Sequence, residues 1–293
     1  MIGRISALSA RCKGFATRGV LAGVFCSAVL WPASAADSVA TPDFAPDTGT
    51  GWLAPEDDFI PPDSGPGPVR SDPAHPYFSN AIARQETVKI ADLTNPILQP
   101  WVVEQMRKAN DEVLAGKVGF TARSRCWPHG VPGFLLYPVH PIFFIQTPKA
   151  VVMVWGQDFQ LRRVYLNVPH SADPKPSWYG ESIGHYENGD TLVVDTIGFN
   201  DKTYVDNYRT PHTTKLHVVE RFKLVEGGEA LEVDVRVEDP GAFTMPWNAR
   251  QRYSTRAVCY GRHAFVVIVK IDGTPVHGEF VNPRKNGAAR AVL

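Results

Sequence analysis

Between residues 231 and 238 apolar and charged side chains alternate without a break, as Leu231-Glu232-Val233-Asp234-Val235-Arg236-Val237-Glu238. Successive side chains of a strand point to opposite faces, so this segment predicts a strand with one buried and one solvated face. Less regular segments predict further strands at 143–147, 150–155, 161–168, 181–186, 191–196, 216–225, 253–260 and 264–271. Short polar turns join several of them, among them Glu187-Asn188-Gly189-Asp190 and Glu226-Gly227-Gly228-Glu229. Asn188-Gly189 is a hairpin signal because both residues tolerate positive φ. Sequential hairpins predict an all-β or mainly β fold: an antiparallel meander, closed as a lipocalin-like β-barrel in preference to a sandwich. A barrel protects its sheet edges and can enclose a ligand-sized cavity.

The pattern before residue 121 is different. Asn95-Pro96 opens a helical stripe of Leu98, Val102, Met106, Ala109 and Val113 that stops at Gly116. That stripe packs on the body of the protein, with Trp101 and Met106 as packing residues. Residues 37–94 are rich in Pro, Asp, Ser and Gly and read as an extended arm. At the start, Arg4, Arg11, Lys13 and Arg18 precede an apolar run over 20–31 and then Pro32-Ala33-Ser34-Ala35-Ala36. This is the form of a secretory signal peptide over 1–36, cut after Ala35 or Ala36, and the run is short of the roughly 20 residues a membrane span needs. The expected organisation is thus a signal peptide at 1–36, an arm at 37–94, a helical segment at 95–120 and an antiparallel β-barrel domain at 121–293. The expected location is exported, periplasmic or extracellular, without stable membrane insertion.

Composition adds two constraints. Lys plus Arg and Asp plus Glu are 30 each, so the chain lacks the broad basic field of a general nucleic-acid binder. Of the four cysteines, Cys12 and Cys26 lie in the signal peptide, which leaves Cys126 and Cys259. Export makes a disulfide between them the expectation, contributing on the order of 4–5 kcal/mol for so long a loop.

The block from Ser177-Trp178-Tyr179-Gly180-Glu181 through Gly189-Asp190-Thr191-Leu192-Val193-Val194-Asp195-Thr196-Ile197-Gly198-Phe199-Asn200 resembles a group of uncharacterised secreted bacterial proteins. Matching features continue through Pro211-His212-Thr213, Leu216-His217-Val218-Val219-Glu220-Arg221-Phe222 and Asp239-Pro240. The resemblance covers roughly residues 120–260. It implies export and carries no particular chemistry. The sequence departs from the group at Tyr260-Gly261-Arg262-His263, where the group is more acidic.

Chemistry is therefore argued from polar residues at sheet positions. Asp195 shares alternation phase with Val193 and Thr191; if that face points inward, burial raises its pKa and suits it to acid–base work, the alternative being a strand-end carboxylate held by backbone N–H groups. His217 and Glu220 lie in opposite phase on one strand and cannot easily hold one metal together. His170, His185, His212 and His217 fall within a short stretch, a density that permits proton transfer near neutral pH. The catalytic candidates are His185, His212, His217, Asp195 and Glu220. Trp178, Tyr179, Tyr186, Tyr204 and Tyr208, with His170, form a candidate substrate-binding wall, or else plug a barrel mouth. Arg162, Arg163, Arg209 and Arg221 are candidate partners for a substrate carboxylate or ordinary ion-pair residues.

No metal or other cofactor is expected: His-Glu-x-x-His, Cys-x-x-Cys-His, P-loop and Gly-x-Gly-x-x-Gly elements are missing, and Ser182 is not in a Gly-x-Ser-x-Gly elbow. Three classes remain. The first is an exported, cofactor-independent enzyme (lyase, isomerase or hydrolase) working on a small apolar or aromatic molecule. The others are a lipocalin-like binding protein for an apolar ligand and a structural envelope protein. Nucleic acid is not an expected partner, and homo-oligomerisation stays open.

Overall fold

The computed structural model describes residues 41–45, 51–54, 57–77, 88–136, 140–156 and 160–255. The expected signal peptide and the expected strand at 264–271 lie outside these residues. Eight strands form one curled sheet in the order of the sequence: β1 (Ile142–Gln146), β2 (Ala150–Trp155), β3 (Leu161–Leu166), β4 (Glu181–Glu187), β5 (Thr191–Ile197), β6 (His217–Val225), β7 (Ala230–Glu238) and β8 (Trp247–Ser254). The fold is mainly β, an open, curled half-barrel accompanied among the described residues by one α-helix, and it agrees with the lipocalin-like expectation.

Two details depart from a plain meander. All neighbouring strands are antiparallel except β3 and β4, which are parallel. Parallel neighbours need a long connection to return the chain to the same end, and residues 167–180, with Pro169, Pro174 and Pro176, supply it. The last strand, β8, also precedes its expected place at 253–260. Its inward residues are Trp247, Ala249, Gln251 and Tyr253, all buried, and the polar Gln251 masks the alternation.

The open seam is bridged at one point by the arm. Trp52 exchanges two backbone hydrogen bonds with Ile142 of β1, both 2.9 Å, and Leu53 exchanges two with Ser254 of β8, at 3.0 and 2.9 Å. Successive residues of an extended chain aim their peptide groups to opposite sides, so this dipeptide acts as a short staple between the two sheet edges. Trp52 is itself buried, its indole N–H donating to the Phe44 carbonyl at 2.7 Å.

The concave face is filled. Val151, Met153, Trp155, Val164, Leu192, Val194, Phe222, Val233 and Tyr253 are all essentially inaccessible, together with Phe134 and Leu135 from the segment before β1. Each such side chain contributes about 1.5–3 kcal/mol relative to exposure. The Tyr253 hydroxyl donates to the Leu135 carbonyl at 2.7 Å, and burial drives its pKa up.

The helix α1 (Pro100–Leu114) begins at Pro100 rather than at Asn95-Pro96, with the ring at the first turn, where no N–H is missed. It buries Val102, Met106 and Asn110. Asn110 replaces an apolar stripe residue because its amide pairs with both backbone groups of Ala91, at 2.9 Å each.

The expected disulfide is not formed. Cys126 is a free, exposed thiol with φ 57°, in the turn that follows a short 3-10 segment (Arg123–Arg125). Cys259 lies outside the described residues. Among the described residues no helix is long and apolar enough to cross a membrane.

Candidate functional site

The inward and outward phases of β4 to β7 separate two polar systems. Inward, Arg162 and Glu220 are both 0% exposed and form a bidentate ion pair, Nη1 donating to Oε1 at 2.9 Å and Nη2 to Oε2. Arg162 Nε also donates to the Ser182 hydroxyl at 3.2 Å, and Nη2 to that of Thr196 at 3.0 Å. A buried charge is tolerated only when paired and hydrogen-bonded, and here three strands supply the partners of one guanidinium. Glu220 shares the phase of Val218 and Phe222 and thus belongs to this interior system, apart from His217.

Outward, the strand registers assemble a second system. Asp195 points away from the core: Leu192, Val194 and Thr196 face in, while Thr191, Val193 and Asp195 share the outer face. The inward placement on which a raised Asp195 pKa depended is therefore corrected, although Thr191 and Val193 are still buried beneath neighbouring side chains. Asp195 is opposite Ile183 of β4 and Val219 of β6, and His217 is opposite Glu238 of β7. The crossover 167–180 brings His170 over the same face.

These residues make a chain of three hydrogen bonds and one longer ion pair. His170 places Nδ1 3.0 Å from Glu181 Oε1 and Nε2 2.9 Å from Asp195 Oδ1. His217 places Nε2 3.0 Å from the same Asp195 oxygen, and its Nδ1 lies 3.8 Å from Glu238 Oε2. Glu181 is fixed in turn by the Ser171 N–H at 2.7 Å and by the Ser171 hydroxyl. The order is Glu181, His170, Asp195, His217, Glu238. The side chains of Asp195 and His217 are 38% and 34% exposed, so solvent and small molecules reach them.

Electrostatics follow from this order. The hydrogen bond from His217, outweighing partial burial, holds the Asp195 carboxyl below its ordinary value, and His170 adds to the effect. The same hydrogen bond raises the His217 pKa against the opposing effect of burial, with the charges of Asp195 and Glu238 adding to it. Glu181 is lowered chiefly by the Ser171 hydroxyl. A raised imidazole beside a lowered carboxylate is a group that can take up and return a proton near neutral pH.

Other residues singled out in the sequence lie elsewhere. His212 is buried, Nδ1 donating to the Thr213 carbonyl at 2.9 Å and Nε2 2.8 Å from the Thr203 hydroxyl, and burial lowers its pKa. His185 is exposed on the outer face and meets Glu187 at 3.1 Å. Trp178 packs against Trp127 in a tilted pair, ring centroids 5.2 Å apart, and Tyr179 stands edge-on to Phe134. Tyr186 accepts from Gln146 Nε2 at 2.8 Å, and Tyr204 pairs through its backbone with Pro211. Tyr208 is buried, donates to Asp58 Oδ2 at 2.9 Å, and has its pKa raised by burial. Its ring and that of Tyr77 flank the buried Lys89 ammonium, which lies 3.1 Å from Asp57 and 2.5 Å from Asp58. The aromatic residues are thus spread over several packing sites.

Sequence reasoning did not place Glu181 and Glu238 in the cluster. Glu238 was within reach, because counting outward from the turn at 226–229 pairs it with His217. Among the described residues no set of three or more His, Cys, Asp and Glu side chains is arranged to hold a metal ion. No family model matches the chain, and no curated protein matches it.

Proposed function

We propose that this is an exported enzyme that moves protons on a small apolar or aromatic molecule, with His217 as the acid–base group, Asp195 as its orienting partner and His170 as the residue that positions Asp195. The carrying observation is the pair of imidazoles on one Asp195 oxygen, one of them partly exposed and with its second nitrogen 3.8 Å from Glu238, beyond hydrogen-bond distance. A carboxylate oxygen only accepts, so Nε2 of neutral His217 carries the proton and Nδ1 keeps its lone pair. A substrate proton delivered to Nδ1 makes an imidazolium flanked by Asp195 and Glu238, two charges that stabilise it until the proton is returned. The ligand-carrier alternative needs space along the sheet axis. The inward face instead carries Trp155, Arg162, Glu220, Phe222 and Tyr253, all buried.

The test is a turnover screen of the mature protein over small aromatic and apolar compounds, repeated with His217→Gln and Asp195→Asn. Both variants are expected to stay folded with only a small loss of stability and to lose turnover, His217→Gln by about 10²–10⁴-fold. Parent-like turnover in each variant would reject the assignment.

A further inference from the structure

The outer face carries a groove of about 390 Å³ whose lining includes Val219 and Arg236, each two residues along its strand from a member of the His217 cluster. One wall is the loop that begins at Pro61-Pro62, pinned at both ends to β8. Ile60 and Arg250 exchange two backbone hydrogen bonds of 2.8 Å, and the Asn248 N–H donates to the Pro66 carbonyl at 3.1 Å. Consecutive prolines have fixed φ and stiffen that wall. The floor is the outer face of β6 to β8, including Val219, Arg221, Arg236 and Arg250, and the lining also includes the acidic Asp63 and Asp234.

Register joins this groove to the cluster. Val219 sits between Asp195 on β5 and Arg236 on β7, and Arg236 is opposite Asn248. Arg236 donates from Nε at 2.7 Å and from Nη2 at 2.6 Å to Oε1 of Glu238, whose other oxygen faces His217 Nδ1. Each of the three arginines is about half exposed and held by a carboxylate, and Arg236 is the one joined to the cluster, through Glu238. Arg250 is held by Asp234 at 3.1 Å and lies 3.5 Å from Glu232, and Arg221 is held by Glu187. Arg236 gives two of its five N–H donors to a single oxygen and is half exposed, so it retains donors for a second carboxylate.

We infer that the groove is the substrate subsite of the His217 centre and takes a small monocarboxylic acid, its carboxylate on Arg236 and its apolar or aromatic body between Val219 and Pro61-Pro62. This rests on the proton-transfer reading above. The acid group fixes one end of the molecule at Arg236, and the body then lies across Val219, the neighbour of Asp195 on the next strand. Positioning by a guanidinium and an apolar wall is the means by which a half-open site can hold a reacting atom in place.

The experiment uses the full mature chain with labelled histidine and follows the His217 ring signals during titration with benzoate. Benzyl alcohol, which has the ring without the charge, and acetate, which has the charge without the ring, are the comparisons. Benzoate is expected to shift the signals saturably and to bind at least about tenfold more tightly than either comparison. Arg236→Gln is expected to weaken benzoate by roughly 10–100-fold. Asn248→Asp, an exposed change that sets a negative charge opposite Arg236, is expected to weaken it as well if the first variant folds poorly. Equal binding of benzoate and benzyl alcohol, absence of a saturable shift, or indifference to both variants would overturn the inference. If turnover falls in His217→Gln while benzoate does not bind, only the substrate class fails. If benzoate binds through Arg236 while His217→Gln turns over normally, the proton-transfer reading fails and the groove loses its substrate role.

Discussion

His217 Nε2 and Asp195 Oδ1 stand 3.0 Å apart on neighbouring strands, and each moves the other's proton affinity in the direction that favours the charged pair. Asp195→Asn removes the negative member. The His217 titration, followed by its ring signals, is then expected to move down toward its ordinary value of 6.5. An unmoved titration would show that Glu238 and not Asp195 governs the imidazole.

The same pair sets a pH window for stability. His217 is raised in the folded state, so its contribution is complete below 6.5 and is lost as pH rises through the folded value. Asp195 is lowered, so its contribution is complete above 3.8 and is lost as pH falls through its folded value. Both are complete between those limits. His217→Gln is expected to cost most in that interval and less at alkaline pH, as measured by denaturant unfolding across the range. Because the pair is about one-third exposed, solvent screening keeps the effect small.

The interior pair calls for a different experiment. Glu220→Gln leaves the Arg162 charge buried at 0% exposure without its counter-ion, and breaking such a pair costs about 3–5 kcal/mol. Removing both charges together, as Arg162→Met with Glu220→Leu, is expected to recover most of that loss, since packed apolar residues often replace a buried ion pair at little or no cost. Additive losses in the double variant would contradict this. Turnover should track the folded fraction, because Glu220 faces the core and Asp195 faces solvent.

The sheet was legible because hairpins carry their own register: once the turns at 188–190 and 226–229 are placed, Asp195 falls opposite Ile183 and His217 opposite Glu238. Glu220 in phase with Val218 and Phe222, and Arg162 in phase with Val164 and Leu166, also mark a charge pair inside the sheet. The outward direction of Asp195 was hidden because β5 is buried on both faces, so alternation does not separate core from exterior there. His170 comes from a crossover with no periodicity, and no local rule sets its rings against Asp195. The cysteine expectation rested on the expected compartment and on chain separation alone. Local geometry decided otherwise, placing Cys126 on an exposed turn.

Gly180 links the crossover to β4 and to the cluster. Its φ is +65°, and a Cβ there would lie 2.4 Å from the Ile197 carbonyl oxygen and 2.9 Å from Thr196 Cγ2. Backbone, which cannot step aside as a flexible side chain does, makes the closest contact. Gly180→Ala is expected to destabilise by roughly 1–3 kcal/mol or more in denaturant unfolding. It should also perturb the His170 ring signals, since the next residue, Glu181, holds that imidazole. Parent-like stability would mean that the turn relaxes without strain.

Asp206 provides the clearest stability titration, because it is buried and its pKa is pushed up from 3.8 to about 6, first by desolvation, with the Asp58 charge adding to it. Its oxygens accept from the N–H groups of Tyr208 at 2.9 Å and Thr210 at 3.1 Å, and from the Thr210 hydroxyl at 2.7 Å. These bonds lower the pKa without cancelling the burial. Since the folded value lies above the unfolded one, the stabilisation is complete below 3.8 and disappears as pH rises through about 6. The interval corresponds to about 3 kcal/mol. In Asp206→Asn the amide oxygen can still accept from both backbone N–H groups, and the amide nitrogen can donate to Thr210, while the side chain no longer ionises. Unfolding free energies of the two proteins between pH 4 and about 7 should therefore diverge in favour of the variant as pH rises, by up to about that amount. Parallel curves would show that the loop around Asp206 admits water and that the carboxylate ionises there without cost.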